Sequence, residues 1–389
     1  MKAGWQVLRL GDVCEFDKSQ GIHAGLPYVG LEDIESQTAH FIGSVEPQVV
    51  KSSTFKFSTQ HVLYGRLRPY LNKVFAPDFD GHCSTEIFPI KPSPALSREY
   101  LLYWLLSEDT VERINATCTG ARMPRADMNE VLDFDFPTPP LPEQQRIVTL
   151  LDEAFDGLAT AKAHAEKNLQ NARAIFESHL QSVFTQRGDG WEDTKEPLSS
   201  LCELVVDCEH KTAPTQEEGI PSIRTPNIGK GNLLLDGVYR VSEATYTEWT
   251  RRAEPREGDL IFAREAPAGN VGVVPPNLRV CLGQRTVLIR PSRTVFVPEF
   301  LALLLLCPAM QKTLLGHSRG ATVQHVNMKD IRALNVGAIP SLSMQTGIVE
   351  KFAAVTSETQ RLESIYQRKL AALDDLKRSL LHQAFAGLL

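Results

Sequence analysis

The residues that could do chemistry in this chain are basic and amide side chains, gathered in a few glycine-containing loops. Segments 65–75, 119–127 and 318–329 combine Arg, Lys, Asn, Gln or His with few acids. Arginine can pair with a guanine edge and asparagine or glutamine with an adenine edge, whereas lysine and glycine-turn amides suit phosphates. Such loops are usually solvated surface, so it is their repetition in both halves that favours nucleic-acid binding.

Catalytic motifs are scarce. Two acid-x-lysine patterns come closest to one, Glu209-His210-Lys211 and Asp193-Thr194-Lys195. Neither stands on a convincing strand with an upstream acid, and patterns this short arise by chance. The sequence has no G-x-x-x-x-G-K-[ST] phosphate loop, no [DN]-P-P-[YF] adenine-methylation motif, and no H-E-x-x-H or paired Cys/His spacing. We therefore expect a binding protein with no catalytic residue, metal or cofactor.

The chain repeats itself after roughly 200 residues, in the same order throughout. The helix start "PTPPLPEQQRIVTLLDEAF" (137–155) has a worn copy, "AIPSLSMQTGIVEKFAAV" (338–355). Further pairs match "VLYGRLRPYLNKV" with "LIFAREAPAGNVGVV", and "GARMPRADMNEV" with "GATVQHVNMKDI". Ordered pairs of this kind indicate an old duplication in which a globular segment, a proline stop and a long helix occur twice.

Each globular half is predicted to be mixed α/β. Short β-rich runs such as HVLYG and DLIFA alternate with Gly, Pro and Asn turns, and a leucine-rich helical run follows in each half. We expect domains at 1–140 and 187–340, followed by long helices at 141–186 and 341–389. The apolar run FLALLLL is too short to span a bilayer, so we expect a buried core helix and no membrane contact.

Both long helices carry a heptad-like stripe of apolar residues. The stripe is too long for one small domain to cover, and the other copy is the nearest available partner. We therefore expect an antiparallel coiled coil that joins two similar globular domains as a pseudo-twofold repeat. The predicted seam residues are Ile147, Leu151, Leu158, Ile175, Phe352, Val355, Leu362, Leu373, Leu376 and Leu380.

Composition limits the class of protein. The 389 residues are 42% hydrophobic and 23% charged, as in a globular protein of two domains. Seven scattered cysteines favour reduced thiols, and the N-terminal segment lacks a signal-like apolar run, so we expect a cytoplasmic location. The formal net charge of −6 argues weakly against nucleic-acid binding, although local clustering of bases matters more than the total.

The segment "PPLPEQQRIVTLLDEAF" resembles the central region of the specificity subunits of type I restriction–modification systems. The segments "YGRLRPYLNKV", "CEHKTAP", "IPSIRTPNI" and "GATVQHVNMKDI" are similar to parts of that family's target-recognition domains. The resemblance covers essentially the whole chain. It implies two domains that each read half of a bipartite DNA site, and helices that fix the spacer between the halves. It also implies two docked modification (methyltransferase) subunits, added restriction subunits, and a specificity subunit that is not itself catalytic.

The resemblance further implies which loop residues contact double-stranded DNA. In the first domain they are Arg66, Arg68, Tyr70, Asn72, Lys73, Arg122 and Arg125. In the second domain they are His210, Lys211, Thr212, Arg224, Asn227, Arg264, Thr322, Gln324, His325 and Asn327. The loops differ between the halves, with "RMPRAD" in one and "TVQHVN" in the other, which predicts an asymmetric target. His210 could equally cap its own loop, and the sequence leaves both roles open.

Two other functions remain open on sequence alone. A two-domain scaffold that binds proteins through its helices explains the helices and the acidity, but it does not explain the duplicated basic loops. A nuclease rests only on the two acid-x-lysine patterns. An adenine methyltransferase that co-purifies with the chain would favour the DNA-recognition hypothesis, whereas metal-dependent cleavage by the chain alone would favour the nuclease.

Overall fold

The protein forms two compact units that each draw on both long helices. The computed structural model describes residues 4–120, 122–316 and 324–389. The first unit consists of Met1–Lys167 and Gln367–Leu389, and the second of Asn168–Tyr366. Each long helix therefore gives one portion of its length to each unit.

The first unit is mixed α/β. Its strands are β1 (Gln6–Arg9), β2 (Cys14–Phe16), β3 (Gln20–Gly21), β4 (Tyr28–Val29), β5 (Thr54–Phe57), β6 (Val62–Gly65), β7 (Val74–Phe75), β8 (Gly81–Cys83), β9 (Ile87–Pro92) and β10 (Asp135–Thr138). Its helices are α1 (Leu10–Val13), α2 (Arg98–Leu106), α3 (Glu108–Ala116) and α4 (Met128–Leu132), followed by the long helix α5 (Leu141–Thr185).

The second unit has the same composition of elements. Its strands are β11 (Trp191–Asp193), β12 (Cys202–Asp207), β13 (Ile220–Ile223), β14 (Lys230–Gly231), β15 (Arg240–Val241), β16 (Leu260–Ala263), β17 (Val271–Val273), β18 (Cys281–Leu282), β19 (Thr286–Pro291) and β20 (Ala338–Pro340). Its helices are α6 (Glu243–Trp249), α7 (Pro298–Leu306), α8 (Pro308–Leu315) and α9 (Met328–Arg332), followed by the long helix α10 (Leu342–Ala386).

The main sheets of the two units share one strand order, whereas the smaller sheets agree only in part, with β3-β5-β8-β4 in the first unit and β15-β13-β18 in the second. The order β2-β9-β6-β7 in the first unit corresponds to β12-β19-β16-β17 in the second, where β14 is added at the edge. The parallel pair β4 and β8 corresponds to β13 and β18. The ribbon β1 and β10 corresponds to β11 and β20, and in each unit its second strand ends just before a long helix. The predicted duplication of a mixed α/β domain is confirmed.

The leucine-rich run of each half forms a pair of helices beneath the main sheet. The pair breaks at Ser107 in the first unit and at Cys307, which precedes a proline, in the second. Helix α7 buries nearly every residue in the second core, as predicted for FLALLLL. Among the described residues no single helix is long and apolar enough to cross a membrane, although the bent pair α7 and α8 meets both criteria together.

The long helices pack antiparallel within each unit. In the first unit, Ile147 near the start of α5 shares a core with Leu381 and Ala384 near the end of α10. In the second unit, Phe176 of the later part of α5 meets Phe352 of the earlier part of α10, with ring centroids 5.8 Å apart. The predicted pairing of the two helices is therefore confirmed.

Two of the predicted seam residues lie at the surface. Ile175 is 44% exposed and Leu376 is 47% exposed, and the next residues along the chain, Phe176 and Lys377, are half-buried in their place. An α-helix drifts by about 20° per heptad from a strict seven-residue repeat, so several heptads move a residue off the seam. The other predicted seam residues are buried or half-buried: Ile147, Leu151, Leu158, Phe352, Val355, Leu362, Leu373 and Leu380.

A fully buried glutamine anchors the start of the first long helix. The Oε1 atom of Gln144 accepts a hydrogen bond from the Ser97 backbone N–H at 2.7 Å. Its Nε2 donates to the carbonyls of Ala95 at 3.0 Å and Pro139 at 2.8 Å. One side chain thus satisfies three backbone groups and fixes α5 to the segment that precedes α2.

The second long helix begins in the same way. Gln345 is fully buried and accepts from the Val297 N–H at 2.8 Å. It donates to the carbonyls of Val295 at 2.8 Å and Pro340 at 2.9 Å. This shared contact gives a physical reason for the glutamine that both copies of the helix start contain.

Candidate nucleic-acid interface

In the first unit, the ends of β6 and β9 bring together residues that are 20 positions apart. The two strands are antiparallel with Gly65 opposite Ile87, so Arg66 follows one strand where Glu86 precedes the other. The Arg66 N–H donates to the Glu86 carbonyl at 2.9 Å, and the Ala126 N–H donates to the Arg66 carbonyl at 2.9 Å. Backbone pairing thus holds three separate segments at one place.

Glu86 is the centre of the side-chain cluster built on this frame. Its carboxylate accepts from Arg66 Nε at 3.1 Å and from Arg125 Nη2 at 2.8 Å. Hydrogen bonds from Arg125, and then from Arg66, hold the pKa of the Glu86 carboxyl below its ordinary value. The Arg66 guanidinium also lies over the Phe88 ring, 5.3 Å from its centroid. Beside the cluster is a cavity of about 350 Å³ that exposed Lys18 helps to line.

Two further predicted residues are exposed on the same pair of loops. Arg68 and Arg122 are both exposed, and the Arg68 N–H donates to the Pro124 carbonyl at 2.8 Å, which joins the two loops. The structure therefore brings together the segments that carry Arg66, Arg68, Arg122 and Arg125. This grouping is basic and partly solvent-facing.

The remaining predicted residues of the first unit face a different environment. Lys73 is half-buried and donates to the carbonyls of Leu31 and Ile34, each at 2.7 Å, so its ammonium is used to hold a neighbouring loop. Asn72 is only 2% exposed. Asn72 and half-exposed Tyr70 line a cavity of about 630 Å³ against the long helices, apart from Glu86.

The second unit repeats the backbone frame. Ala263 of β16 lies opposite Thr286 of β19, so Arg264 follows one strand where Arg285 precedes the other. The Arg264 N–H donates to the Arg285 carbonyl at 2.9 Å, and the Val326 N–H donates to the Arg264 carbonyl at 2.9 Å. The frame is the same as in the first unit, but the side chains on it differ.

Arg264 is enclosed by three partners. Its Nε donates to the Val326 carbonyl at 3.0 Å, its Nη1 to Asp207 Oδ2 at 2.8 Å, and its Nη2 lies 3.1 Å from His325 Nε2. The Nδ1 atom of His325 lies 2.7 Å from Glu265 Oε1. These contacts fit an imidazole whose Nδ1–H donates to the carboxylate while Nε2 accepts from the guanidinium.

A small polar cavity opens beside this cluster. It has a volume of about 230 Å³ and is lined by His210, Arg264, Glu265, Gln284, Arg285 and His325. His210 lies 3.2 Å from Asp207, and its carbonyl accepts from Gln284 at 3.3 Å, while its side chain is 64% exposed. Both roles considered for His210 are therefore compatible with its position: it makes a local contact and also faces solvent.

The other predicted residues of the second unit lie around this site or apart from it. Asn227 accepts from the Arg224 N–H at 3.2 Å, which closes a local turn, and the Arg224 guanidinium lies 4.3 Å from the centroid of the Tyr239 ring. Exposed predicted residues are Lys211, Thr212, Gln324 and Asn327. Thr322 lies outside the described residues.

The two acid-x-lysine patterns lie in a turn and at the end of a strand. Glu209 pairs with Arg252 at 3.4 Å in a turn after β12, and Asp193 is an exposed residue at the end of β11. A Gly-x-Ser-x-Gly sequence, 316–320, follows helix α8 rather than the strand that a nucleophile elbow requires, and most of it lies outside the described residues.

One group of side chains has the composition of a metal site. Ligand atoms of Asp207, Cys208 and His210 lie within 4.8 Å of one another. The Asp207 carboxylate already pairs with Arg264 at 2.8 Å. Burial raises the pKa of the Cys208 thiol, which opposes the thiolate that a metal needs. The chemistry of this group therefore suits a salt-bridged turn better than a metal.

Sequence reasoning missed the charged partners of its own arginines. Glu86 belongs to the first cluster, and Asp207, Glu265 and Arg285 belong to the second, but none of the four lies among the predicted DNA contacts. A signal was available, because Glu86 and Arg285 directly precede the matching segments "IFPIKP" and "TVLIRP". Pairing those segments with the strands before Arg66 and Arg264 would have placed them together.

The fold and the two clusters define a duplicated chain that presents differently charged loops on one repeated frame. The family model described as "Type I restriction modification DNA specificity domain" matches residues 2–170 and 194–369. The chain belongs to this family.

Similar proteins include two curated specificity subunits of Escherichia coli. The specificity subunit of type I restriction enzyme EcoBI is 24% identical over 301 residues, which are 70% of this chain and 62% of that subunit. The EcoDI specificity subunit is 27% identical over 187 residues, 47% of this chain and 41% of that subunit. The matches thus cover less than two thirds of either relative's length.

Solved structures share the fold over its full extent. A chain from work on complex assembly and conformational transition of the type I R-M system superposes with a TM-score of 0.80 at 21% identity, covering 100% of this chain and 99% of that one. The HsdS subunit of Thermoanaerobacter tengcongensis gives a TM-score of 0.64 at 21% identity, covering 100% and 98%.

Proposed function

We propose that this protein is the DNA-recognition subunit of a type I restriction–modification complex and reads a bipartite, asymmetric target. The observation that carries the proposal is the pair of clusters on one repeated frame. Arg66, Arg125 and Glu86 occupy the frame in the first unit, whereas Arg264, Glu265 and Arg285 occupy it in the second. Equivalent places with different donors and acceptors suit two half-sites of different sequence.

The proposal assigns a role to each of the four predicted segments. Residues 1–140 and 187–340 are the two target-recognition domains, and the helical segments 141–186 and 341–389 set the spacer between half-sites. The predicted DNA contacts that are exposed on the loops, such as Arg68 and Arg122, support this assignment. Lys73 and Arg264 are engaged inside the protein, and we infer that they support the loops without touching bases.

The proposal includes two modification subunits and, in the restricting form, restriction subunits as partners. The chain itself contributes recognition, and the methyltransferase and nuclease chemistry belong to those partners. The chain has a net charge of −6, so partners that supply phosphate contacts would raise its affinity for DNA. Such a complex works on chromosomal DNA, which implies a cytoplasmic location.

Binding measurements with and without the modification subunits test this function. We expect the isolated chain to bind duplex DNA weakly and with strong salt dependence, and we expect affinity and base preference to rise when modification subunits are added. Methylation-sensitive sequencing of cells with and without the gene then identifies the target as a two-part motif.

The results of these measurements distinguish DNA recognition from the scaffold and nuclease alternatives. A complex that forms with partner proteins but shows no base preference would support the scaffold instead. Metal-dependent cleavage by the isolated chain would support the nuclease. Tight, sequence-specific binding by the isolated chain would contradict the role assigned to the modification subunits.

A further inference from the structure

The two units can be aligned position by position at the clusters. The strand registers, the two backbone hydrogen bonds of each frame, and the isolated bridges between the loops agree on one alignment. The equivalent pairs are Arg66 and Arg264, Leu67 and Glu265, Glu86 and Arg285, and Arg125 and His325. Among these four pairs, the arginine that follows the first strand is the one charge that both units share.

Charge is reversed at the position before the second strand. The first unit has the acid Glu86 there, and this acid serves the neighbouring arginines. The second unit has Arg285 at the same position, and its acids come from Glu265 and from Asp207. The acid that pairs with the shared arginine therefore comes from a different position in each unit. As a result, the basic side chain that each unit can offer to a ligand also differs.

In the first unit the shared arginine has guanidinium nitrogens that donate to no described residue, whereas in the second unit all of its guanidinium nitrogens are in contact with the protein. Arg66 uses Nε for Glu86, and neither of its terminal nitrogens donates to any described residue. All three nitrogens of Arg264 contact Val326, Asp207 or His325, and its side chain is only 12% exposed. A ligand could engage Arg264 only by displacing contacts that hold the cluster together.

Arg285, unlike Arg264, is exposed and has terminal nitrogens that donate to no described residue. Its side chain is 60% exposed, and its Nε lies 3.0 Å from Glu265 Oε2. Across the described ranges, neither of its terminal nitrogens donates a hydrogen bond to the protein. Its backbone has φ +64°, a left-handed conformation that is uncommon for a residue with a side chain and tends to persist at functional positions.

We propose that Arg285 is the base-reading arginine of the second unit, taking the part that Arg66 takes in the first. This inference rests on the proposed function and assigns its base recognition to one residue. Glu265 fixes the guanidinium from the Nε side, which leaves Nη1 and Nη2 as a planar fork. Such a fork matches the paired acceptors O6 and N7 of guanine in the major groove. A guanine edge is thus the ligand expected beside the 230 Å³ cavity.

The test uses the full chain assembled with its modification subunits and duplexes randomised in each half-site. The variants are R285K, which keeps the charge but loses the planar fork, and R285Q, which loses both. R251Q is the matched control, because Arg251 is exposed in the same unit and its side chain donates to the Glu248 carbonyl at 3.2 Å, outside the cavity. Co-purification with the modification subunits checks that each variant is folded.

We expect both Arg285 variants to bind the preferred duplex about tenfold to a hundredfold more weakly and to lose a guanine preference at one position of the second half-site. The first half-site and R251Q should retain wild-type preferences. R66K should relax the first half-site only. If R285K keeps every base preference, Arg285 contacts phosphate or nothing, and the inference is wrong. If the wild-type complex has no base preference at all, the proposed function is rejected, and this inference with it.

Discussion

Glu86 shows how one carboxylate can organise two cations from distant parts of a chain. It accepts from Arg66 and Arg125, whose side chains are 33% and 37% exposed. A charge-assisted hydrogen bond is stronger than a neutral one, and a carboxylate with two such partners restricts the rotamers of both arginines. The restriction matters for recognition, because a guanidinium that is already oriented loses less entropy when it binds.

A change of Glu86 to glutamine tests this organisation. We expect E86Q to lower the free energy of unfolding of the first unit by about 1–2 kcal/mol near neutral pH, because the arginines lose an ionic acceptor. The measurement is urea unfolding followed by hydrogen exchange in peptides of that unit. E46Q is the control, since Glu46 is an exposed loop residue, and it should change little.

The stability difference between wild type and E86Q should depend on pH, in a direction set by the pKa of Glu86. The folded pKa of Glu86 lies below its ordinary value of 4.5, so the carboxylate stabilises the fold above that pH. This contribution is lost as the pH falls through the folded pKa. The stability difference between wild type and E86Q should therefore shrink in acid. A difference that stays constant from neutral to acidic pH would contradict the role given to the Glu86 charge.

At the scale of elements, the two buried glutamines join each long helix to its globular part. Gln144 satisfies three backbone groups near the start of α5, and its neighbour Gln145 is exposed. We expect Q144A to destabilise the first unit by about 2–4 kcal/mol, because buried backbone groups lose their partners. Q145A should stay within about 0.5 kcal/mol of wild type.

The second unit offers an independent repeat of this experiment. Q345A should destabilise the second unit by a similar amount, because Gln345 makes the same three contacts. Thermal unfolding, with hydrogen exchange to separate the units, measures both variants. Equal effects of Q144A and Q145A would contradict the role given to the buried contacts, because alanine favours the helix at both positions and only Gln144 makes those contacts.

The sequence predicts the elements better than their detailed packing. The repeated order of strands, proline stop and long helix predicts the duplicated fold, because turn residues and apolar periodicity act locally. The seam is predicted less well. Ile175 and Leu376 satisfy the heptad but are exposed, because the true helical period differs slightly from that of the pattern. Both errors occur at equivalent positions, so the drift is itself duplicated.

The site is predictable only in part, for a related reason. Basic loop residues such as Arg66 and Arg125 can be found from their charge. Their partner Glu86 is near neither loop in sequence, and only the register of two strands brings it to them. Whether an arginine is available or enclosed depends on such partners. Arg66 and Arg264 therefore look alike in sequence and differ in their surroundings.

At the scale of the whole molecule, helix length should control the spacing of the two half-sites. Lys162 of α5 pairs with Asp374 of α10 at 3.0 Å, so heptads inserted at both places keep the helices in register. Seven residues lengthen a helix by about 10 Å. We expect the spacer to grow by about three base pairs and each half-site to keep its sequence.

Sequencing of methylated sites in cells that carry the lengthened chain measures this directly. A length-matched control replaces the existing heptads around Lys162 and Asp374 with other helix-forming residues that retain this ion pair, and its spacer should be unchanged. Altered half-site sequences, or an unchanged spacer in the lengthened chain, would count against helices that set the distance.

The first unit is closed by residues 367–389, where Leu381 and Ala384 fill its core beside Ile147. A ribosome makes those residues only after the whole of the second unit, which is one unbroken stretch of chain. Nascent domains usually fold in the order of their synthesis. Here the half that is translated first must wait, with an apolar surface uncovered, until the half that is translated later has been completed.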